Sequence, residues 1–331
     1  MIKKVLVTGG AGYVGSLLVP KLLNWGYQIK VLDLYLYGDD VLDSVKNNPN
    51  LEQIKGDIRD KALLEKVMQG CDAVFHLACI SNDPSFELNP ALGKSINYDA
   101  FLDLVDVAKS NQVKRFIYAS SSSVYGINPN PNVREDASCQ PLTDYSKYKL
   151  LCENILKESN LNGMEYVIVR PATVCGYAPR LRLDLVVNIL TMQALTKKEI
   201  TVTGGPQLRP NINIKDMVDV YQLLLEAPRG DVHAEVFNAG SENFSVTTIA
   251  NLVKEAITDS EISIKIMPTN DIRSYHINSD KIKAKLGFQT KHGIADAVQS
   301  IQYAYTNGWI PNILTDSRYY NIKRMTECAL S

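Results

Sequence analysis

The stretch Lys3-Lys4-Val5-Leu6-Val7-Thr8-Gly9-Gly10-Ala11-Gly12-Tyr13-Val14-Gly15-Ser16 decides the fold. Residues 3–8 form an apolar run of the kind buried on both faces of a parallel sheet. The run ends in Gly9-x-x-Gly12-x-x-Gly15, and residues 13–25 continue with helical spacing. Glycines at this spacing permit a tight turn, close approach of the backbone to a pyrophosphate, and tight helix–strand packing. The helix N-terminus adds free N–H groups and a partial positive charge. Such a trio is common in turns, so its setting matters. Asp33 ends the next strand, 18 residues after Gly15. A carboxylate there suits the adenosine ribose diol and repels a 2′-phosphate, and residues 31–35 contain no Arg or Lys. The expected cofactor is therefore NAD, with Gly9, Gly12, Tyr13, Val14, Gly15 and Asp33 as its first candidate contacts. Asp57 and Ile58, after the third strand, are further candidates: Asp57 is placed either to reach the adenine amino group or simply to make a turn.

Outward from this loop, apolar strands over 28–33, 51–56, 73–78, 115–120 and 166–170 alternate with helices over 61–69, 95–110 and 145–158. That alternation predicts βαβ units and an α/β fold: a Rossmann-type, doubly wound parallel sheet. Beyond residue 171, Pro179, Gly204, Gly205, Pro206 and Pro210 break up the chain. Helices are predicted over 185–195, 216–226, 247–257 and 295–306. The expected domains are an NAD-binding unit over 1–171 and a smaller C-terminal α/β substrate lobe over 172–331, with segments near 210–240 returning to the first. Residues 235–238 are a candidate returning strand.

The 331 residues carry 35 Lys+Arg and 36 Asp+Glu, a formal charge of −1, which gives no support for binding a polyanion such as nucleic acid. No apolar run reaches the length of a membrane span, and the N-terminus lacks a signal-peptide pattern. The six cysteines have no CxxC pair, so reduced thiols in a cytoplasmic protein are expected, with no disulfide framework and no metal site.

Tyr145-Ser146-Lys147-Tyr148-Lys149 places Tyr145 and Lys149 on one helical face. The spacing is uninformative alone, since Tyr319 and Lys323 repeat it. Tyr145, however, opens a helix after a polar loop and follows the serine cluster 120–123, which ends a strand. These features, with TGGAGYVGS at 8–16, HLA at 76–78, SSSSVYG at 120–126, DYSKYK at 144–149, RPATVCG at 170–176 and GGPQLRPNINIKD at 204–216, resemble the extended short-chain dehydrogenase/reductase family. Within it the chain is similar to the nucleotide-sugar epimerases, dehydratases and dehydrogenases, over nearly its whole length. The resemblance implies Tyr145 as acid/base, Lys149 as its electrostatic partner and cofactor-ribose contact, and Ser121 as donor to the reacting oxygen. It adds Leu77, Ala78 and Pro171 to the cofactor contacts, and it implies a homodimer formed through helices 95–110 and 145–158. The chemistry agrees. A phenol working near neutrality needs its pKa lowered by roughly 3 pH units, about 4 kcal/mol, and an ammonium about 4 Å away at an effective ε near 20 supplies a term of that size.

Members that eliminate water or decarboxylate carry an acidic residue just after the catalytic Ser/Thr; here Ser122 and Ser123 stand in its place. The reading is therefore an epimerase that transiently oxidises a ring hydroxyl, C4, of a nucleotide sugar. A dehydrogenase releasing the keto-sugar and a non-catalytic NAD sensor are its alternatives. On the substrate side the resemblance points to Arg209 and Arg273 for the diphosphate and to Asn188 as an amide contact. Ser81, Asn82, Ser122, Ser123, Thr173 and Arg182 are candidates to line the sugar pocket. Two departures stand out: Thr173 replaces the usual amide of an RxxN motif beginning at Arg170, and Pro210 replaces an acidic residue.

Overall fold

The computed structural model describes residues 2–269 and 274–328. Seven parallel strands form the central sheet, in the spatial order Glu235–Ala239, Glu165–Pro171, Arg115–Ala119, Ala73–His76, Lys4–Thr8, Gln28–Asp33, Leu51–Lys55. Lys4–Thr8 pairs on one side with Gln28–Asp33 (Val5 opposite Ile29) and on the other with Ala73–His76 (Val5 opposite Ala73). The chain therefore reverses its winding direction beside Lys4–Thr8, and the carboxyl ends of these two neighbours open a crevice there.

Strand side chains alternate between two apolar layers. Val5, Val7, Val31, Phe75, Ile117, Val167 and Phe237 point into one, with helices Gly15–Asn24 and Ile214–Glu226. Leu6, Leu32, Val74, Phe116, Tyr118 and Ile168 point into the other, with helices Lys61–Met68, Ala100–Ser110 and Asp144–Glu158. Both faces of its inner strands are covered, which is why Lys4–Thr8 and Ala73–His76 read as near-continuous apolar runs, whereas the edge strand Leu51–Lys55 alternates with polar residues.

Two small sheets lie outside this layer. One is three-stranded, with Leu208–Asn213 between Glu242–Ser245 and Thr173–Cys175; the other pairs Ser263–Met267 with Glu199–Thr203. None of these strands was predicted. Pro210 made 208–213 read as broken, yet it faces Asn243 in the antiparallel ladder, and the parallel ladder to Thr173–Cys175 begins only at Asn211. The proline thus falls where its missing N–H costs the second ladder nothing. Helices Val186–Lys197, Val246–Ile257 and Ile294–Thr306 enclose a separate apolar cluster around Val187, Ile249 and Val298.

The predicted helix over 95–110 begins as a wider π-turn, Ser95–Asp99, before the α-helix Ala100–Ser110. Within it, Asn97 is buried and brackets Ile80: its Oδ1 accepts from the Ile80 N–H at 2.8 Å and its Nδ2 donates to the Ile80 carbonyl at 2.9 Å. This clamp fixes the loop after Ala73–His76. Two short helices, Asp83–Glu87 and Pro90–Lys94, follow that loop, capped by Asn82 and Asn89. No described helix is long and apolar enough to cross a membrane.

Candidate active site

The loops after Lys4–Thr8, Gln28–Asp33, Ala73–His76 and Arg115–Ala119 surround one cavity of about 340 Å³. Gly9, Gly12, Tyr13, Val14, Gly15, Asp33, Asp57, Ile58, Leu77, Ala78 and Pro171 line it, as do Ser121, Tyr145 and Lys149. The two halves of the expected site, from opposite ends of the first 171 residues, thus share one space.

At the glycine loop, backbone runs against backbone. Gly9 has φ +76°, and a Cβ there would lie 2.6 Å from the Ala78 nitrogen. A Cβ on Gly15 would meet the carbonyl oxygens of Gly9 and Gly10 at 2.5 Å. Gly12 differs: its Cβ would meet only the Gly9 oxygen, at 3.1 Å, so its other side opens toward the cavity. No side chain caps the Gly15–Asn24 helix, and no acidic residue lies in its first turn. An open helix N-terminus beside an open glycine fits a pyrophosphate. Asp33 accepts from the Ala11 N–H (2.9 Å) and the Tyr35 N–H (2.8 Å), which fixes the carboxylate at the strand end. Burial raises its pKa, opposed by those amides and by the Arg180 charge. These residues fit the adenosine half of a dinucleotide. Asp57 lines the cavity but spends its carboxylate on Arg59, at 2.7 Å to Nη2, and closes a turn on the Arg59 N–H. The turn is what its side chain makes here.

Tyr145 and Lys149 enter from the Asp144–Glu158 helix, whose start is set by a capping box between Thr143 and Ser146. Ser121 begins the turn after Arg115–Ala119; its hydroxyl lies 2.8 Å from that of Ser123 and is hydrogen-bonded to Tyr145. Lys149 Nζ donates to the Ala119 carbonyl at 2.7 Å and sits 5.9 Å from the Tyr145 ring centre. The expected lowering of the phenol by an adjacent ammonium is therefore not what the structure shows. Burial pushes Tyr145 well above its ordinary pKa, Cys79 and Asp83 add to this, and Arg182 and Ser121 oppose it.

The helix bearing Tyr145 and Lys149 is bolted to the strands by a group the sequence reading missed. Arg170 donates from Nε and Nη2 to Glu153 at 2.9 and 2.6 Å, and Ser120 donates to the same carboxylate at 2.6 Å. Glu153 lies one helical turn beyond Lys149, and Ser120 precedes Ser121, so this buried ion pair sets one catalytic segment against the other. Arg170 is thereby internal and is no substrate contact.

Of the substrate candidates, Ser81, Asn82, Ser122, Ser123, Thr173 and Arg182 line the cavity. Arg182 pairs with Asp184 at 2.6 Å and donates to Ser81 Oγ at 3.0 Å, and Asn82 donates to Asp184 at 2.9 Å. Asn188 does not reach the cavity. It is fully buried, accepting from the Gly176 N–H and donating to the Tyr13 hydroxyl and the Arg182 carbonyl, so it ties the lobe to the glycine loop instead. Arg209 stands behind Tyr275, its guanidinium 5.4 Å from the ring, while Tyr275 itself lines the cavity. Arg273 lies outside the described residues. Asp83, expected beside Ser81 and Asn82, and Arg180, expected near the sugar without a role, also line the cavity, and the structure adds Tyr37, Asn321 and Met325. Asp83 puts a carboxylate in the cavity, although Ser122 and Ser123 carry none. Among the cysteines, all six free, only Cys79 faces the cavity.

A family model described as the NAD dependent epimerase/dehydratase family matches residues 5–240. The chain is 28% identical to a UDP-glucose 4-epimerase of Lactobacillus helveticus, over 89% of this chain and 94% of that one. It is 32% identical to UDP-glucuronic acid decarboxylase 4 of Arabidopsis thaliana, over 88% of this chain and 66% of that longer protein. The fold superposes on the crystal structure of a Bacillus cereus UDP-glucuronic acid 4-epimerase, solved with UDP-glucuronic acid and NAD, with a TM-score of 0.82. That match has 27% identity and covers 92% of this chain and 99% of the other. With its glycine loop, its fitted acidic strand end and its Ser–Tyr–Lys cluster in one cavity, the chain belongs to the NAD-dependent epimerase/dehydratase family, and it is an NAD-dependent enzyme of the extended short-chain dehydrogenase/reductase type.

Proposed function

We propose that the protein is a nucleotide-sugar epimerase acting through transient oxidation of a ring hydroxyl, C4. The observation that carries this reading is the convergence of Ser121, Tyr145 and Lys149 on the cavity that also holds the glycine loop. NAD, when bound, takes up the hydride and gives it back. The protein's own groups handle the proton and the geometry. The Ser121 hydroxyl and the Tyr145 phenol, already bonded to each other, form a pair able to hold one substrate oxygen. In its phenolate form Tyr145 would take the hydroxyl proton on oxidation, becoming the phenol, and return it on reduction. Lys149, held by the Ala119 carbonyl, supports the charge of that exchange from within the cavity. Inversion needs the keto-sugar to turn its other face before reduction, so the walls must restrain the nucleotide more than the sugar.

Ser122 is 2% exposed and occupies the position after Ser121 where elimination and decarboxylation place a carboxylate. That favours oxidation and return over both. Asp83 is the nearest rival acid; it receives a 2.5 Å hydrogen bond from Thr143, which engages it with the start of the catalytic helix. Incubation with UDP-, GDP-, dTDP- and CDP-sugars, with products read by mass and NMR, tests the proposal. An epimer of unchanged mass is expected, lost in Tyr145→Phe while NAD stays bound. A product lighter by two hydrogens would assign a dehydrogenase, one lighter by water a dehydratase, and absence of turnover with every sugar would refute the reading.

A further inference from the structure

Arg180 stands apart from the other charges of the cavity. Its side chain is 4% exposed, and its guanidinium lies 3.7 Å from the Tyr37 ring centre. Nη2 donates to Asn321 Oδ1, whereas Nε and Nη1 are buried and have no partner among the described residues. Arg182, two residues on, spends its donors on Asp184 and Ser81. A guanidinium cannot shed its proton to escape burial, and a buried charge is ordinarily paired. These unpaired donors call for an anionic partner, and the cavity that Arg180 lines is where one would arrive.

Position selects which anion. The Arg180 N–H donates to Ser16 Oγ at 3.3 Å, in the first helical turn behind the glycine loop. Its charge acts on Asp33 at the adenosine end, while the arginine whose charge acts on Tyr145 is Arg182. The partner acceptor, Asn321, begins the C-terminal helix Asn321–Cys328 and also donates to Ser81 Oγ at 3.0 Å. Arg324 anchors the same helix to the Leu36 carbonyl at 2.6 Å, and Met325 faces the cavity.

We infer that Arg180 is a diphosphate-binding residue of the cofactor site, its unpaired Nε and Nη1 taking phosphate oxygens of NAD as their acceptors, and that Asn321 brings the C-terminal helix into that site by holding the guanidinium. Planar donors on a preset guanidinium suit a diphosphate. The inference rests on the NAD cofactor and is independent of which sugar reaction follows.

The test is calorimetric titration of NAD-stripped full-length protein, parent against Arg180→Met, with NAD, ADP-ribose, adenosine and UDP. Kd for NAD and ADP-ribose is expected to rise roughly 10- to 100-fold, with adenosine affinity held. The thermal midpoint without ligand is expected to hold or rise, because an unpaired buried charge has been removed. NAD affinity within about twofold of the parent would overturn the inference. So would an equal loss for adenosine, or weaker UDP binding with NAD affinity intact, which would assign Arg180 to the substrate's diphosphate. Asn321→Ala provides the check if Arg180→Met does not fold: a several-fold loss for ADP-ribose with adenosine unchanged is expected, and no loss would overturn it.

Discussion

Glu153 shows how one residue governs a site it does not touch. Its carboxylate, fully buried, takes both arms of Arg170 and the Ser120 hydroxyl, while Lys157 approaches at 3.0 Å. The pair favours the ionised state at both ends. Burial works against the Glu153 charge, yet Arg170 outweighs it and keeps the carboxyl below its ordinary pKa. Removing one partner leaves the other charged and unpaired. Glu153→Ala is therefore expected to cost about 3–5 kcal/mol in a denaturant titration. It should also lower activity in the remaining folded enzyme, since Ser120 and the Tyr145 helix lose their tie. No motif announces such a residue: Glu153 sits on a helix with ordinary amphipathic spacing, and only the fold brings it to Arg170. Arg180 and Asp83 were legible only as neighbours of the sugar pocket; the partners that give each a place, Asn321 and Tyr37 for Arg180 and Thr143 for Asp83, are brought to them by the fold. Asp33, by contrast, was legible because periodicity locates the ends of strands, where an α/β sheet exposes its chemistry, while Ser121, Tyr145 and Lys149 were legible through the family resemblance of the motifs around them.

At the scale of elements, the strand–loop–helix over Lys4–Asn24 separates a folding role from a binding role, glycine by glycine. Gly15 packs against the carbonyls of Gly9 and Gly10, so Gly15→Ala forces backbone apart and is expected to lower stability sharply. Gly12 has room for a methyl apart from one 3.1 Å contact, so Gly12→Ala should keep its thermal midpoint near the parent's while losing NAD affinity. Thermal unfolding with and without NAD separates the two. Equal midpoint losses would contradict the division of roles. The parallel strands and their crossover helices were legible because burial on both faces gives unmistakable apolar runs. The small sheets were not. Glu199–Thr203 and Ser263–Met267 are five-residue strands joined only to each other; the first buries Ile200 and Val202 in alternation but is too short to stand out from the helix before it, and the second is largely exposed. The π-turn at Ser95–Asp99 is invisible to a helical period for a similar reason: it changes the bonding of one turn without changing which residues are apolar.

For the whole molecule, the covered sheet leaves two apolar side chains facing outward on adjacent-layer helices: Leu102 on Ala100–Ser110 and Leu151 on Asp144–Glu158, each 41% exposed. They support the homodimer that we propose for these helices. Sedimentation should give the mass of two chains, and Leu102→Lys combined with Leu151→Lys should give one; a monomeric parent would refute the dimer. The near-zero net charge carries little weight in this picture, because the anionic ligands are met by an open helix end and buried arginines whose charges are balanced elsewhere in the chain. On the proposed reaction, the fold must hold a nucleotide still while a sugar is oxidised, turned and reduced within one cavity. The most direct measurement follows a nucleotide sugar carrying deuterium at C4 through turnover in ordinary water. The account predicts an epimer that keeps its deuterium at C4, because the hydride leaves and returns without meeting solvent. Deuterium lost to water, or found in free reduced cofactor beside a released keto-sugar, would contradict it.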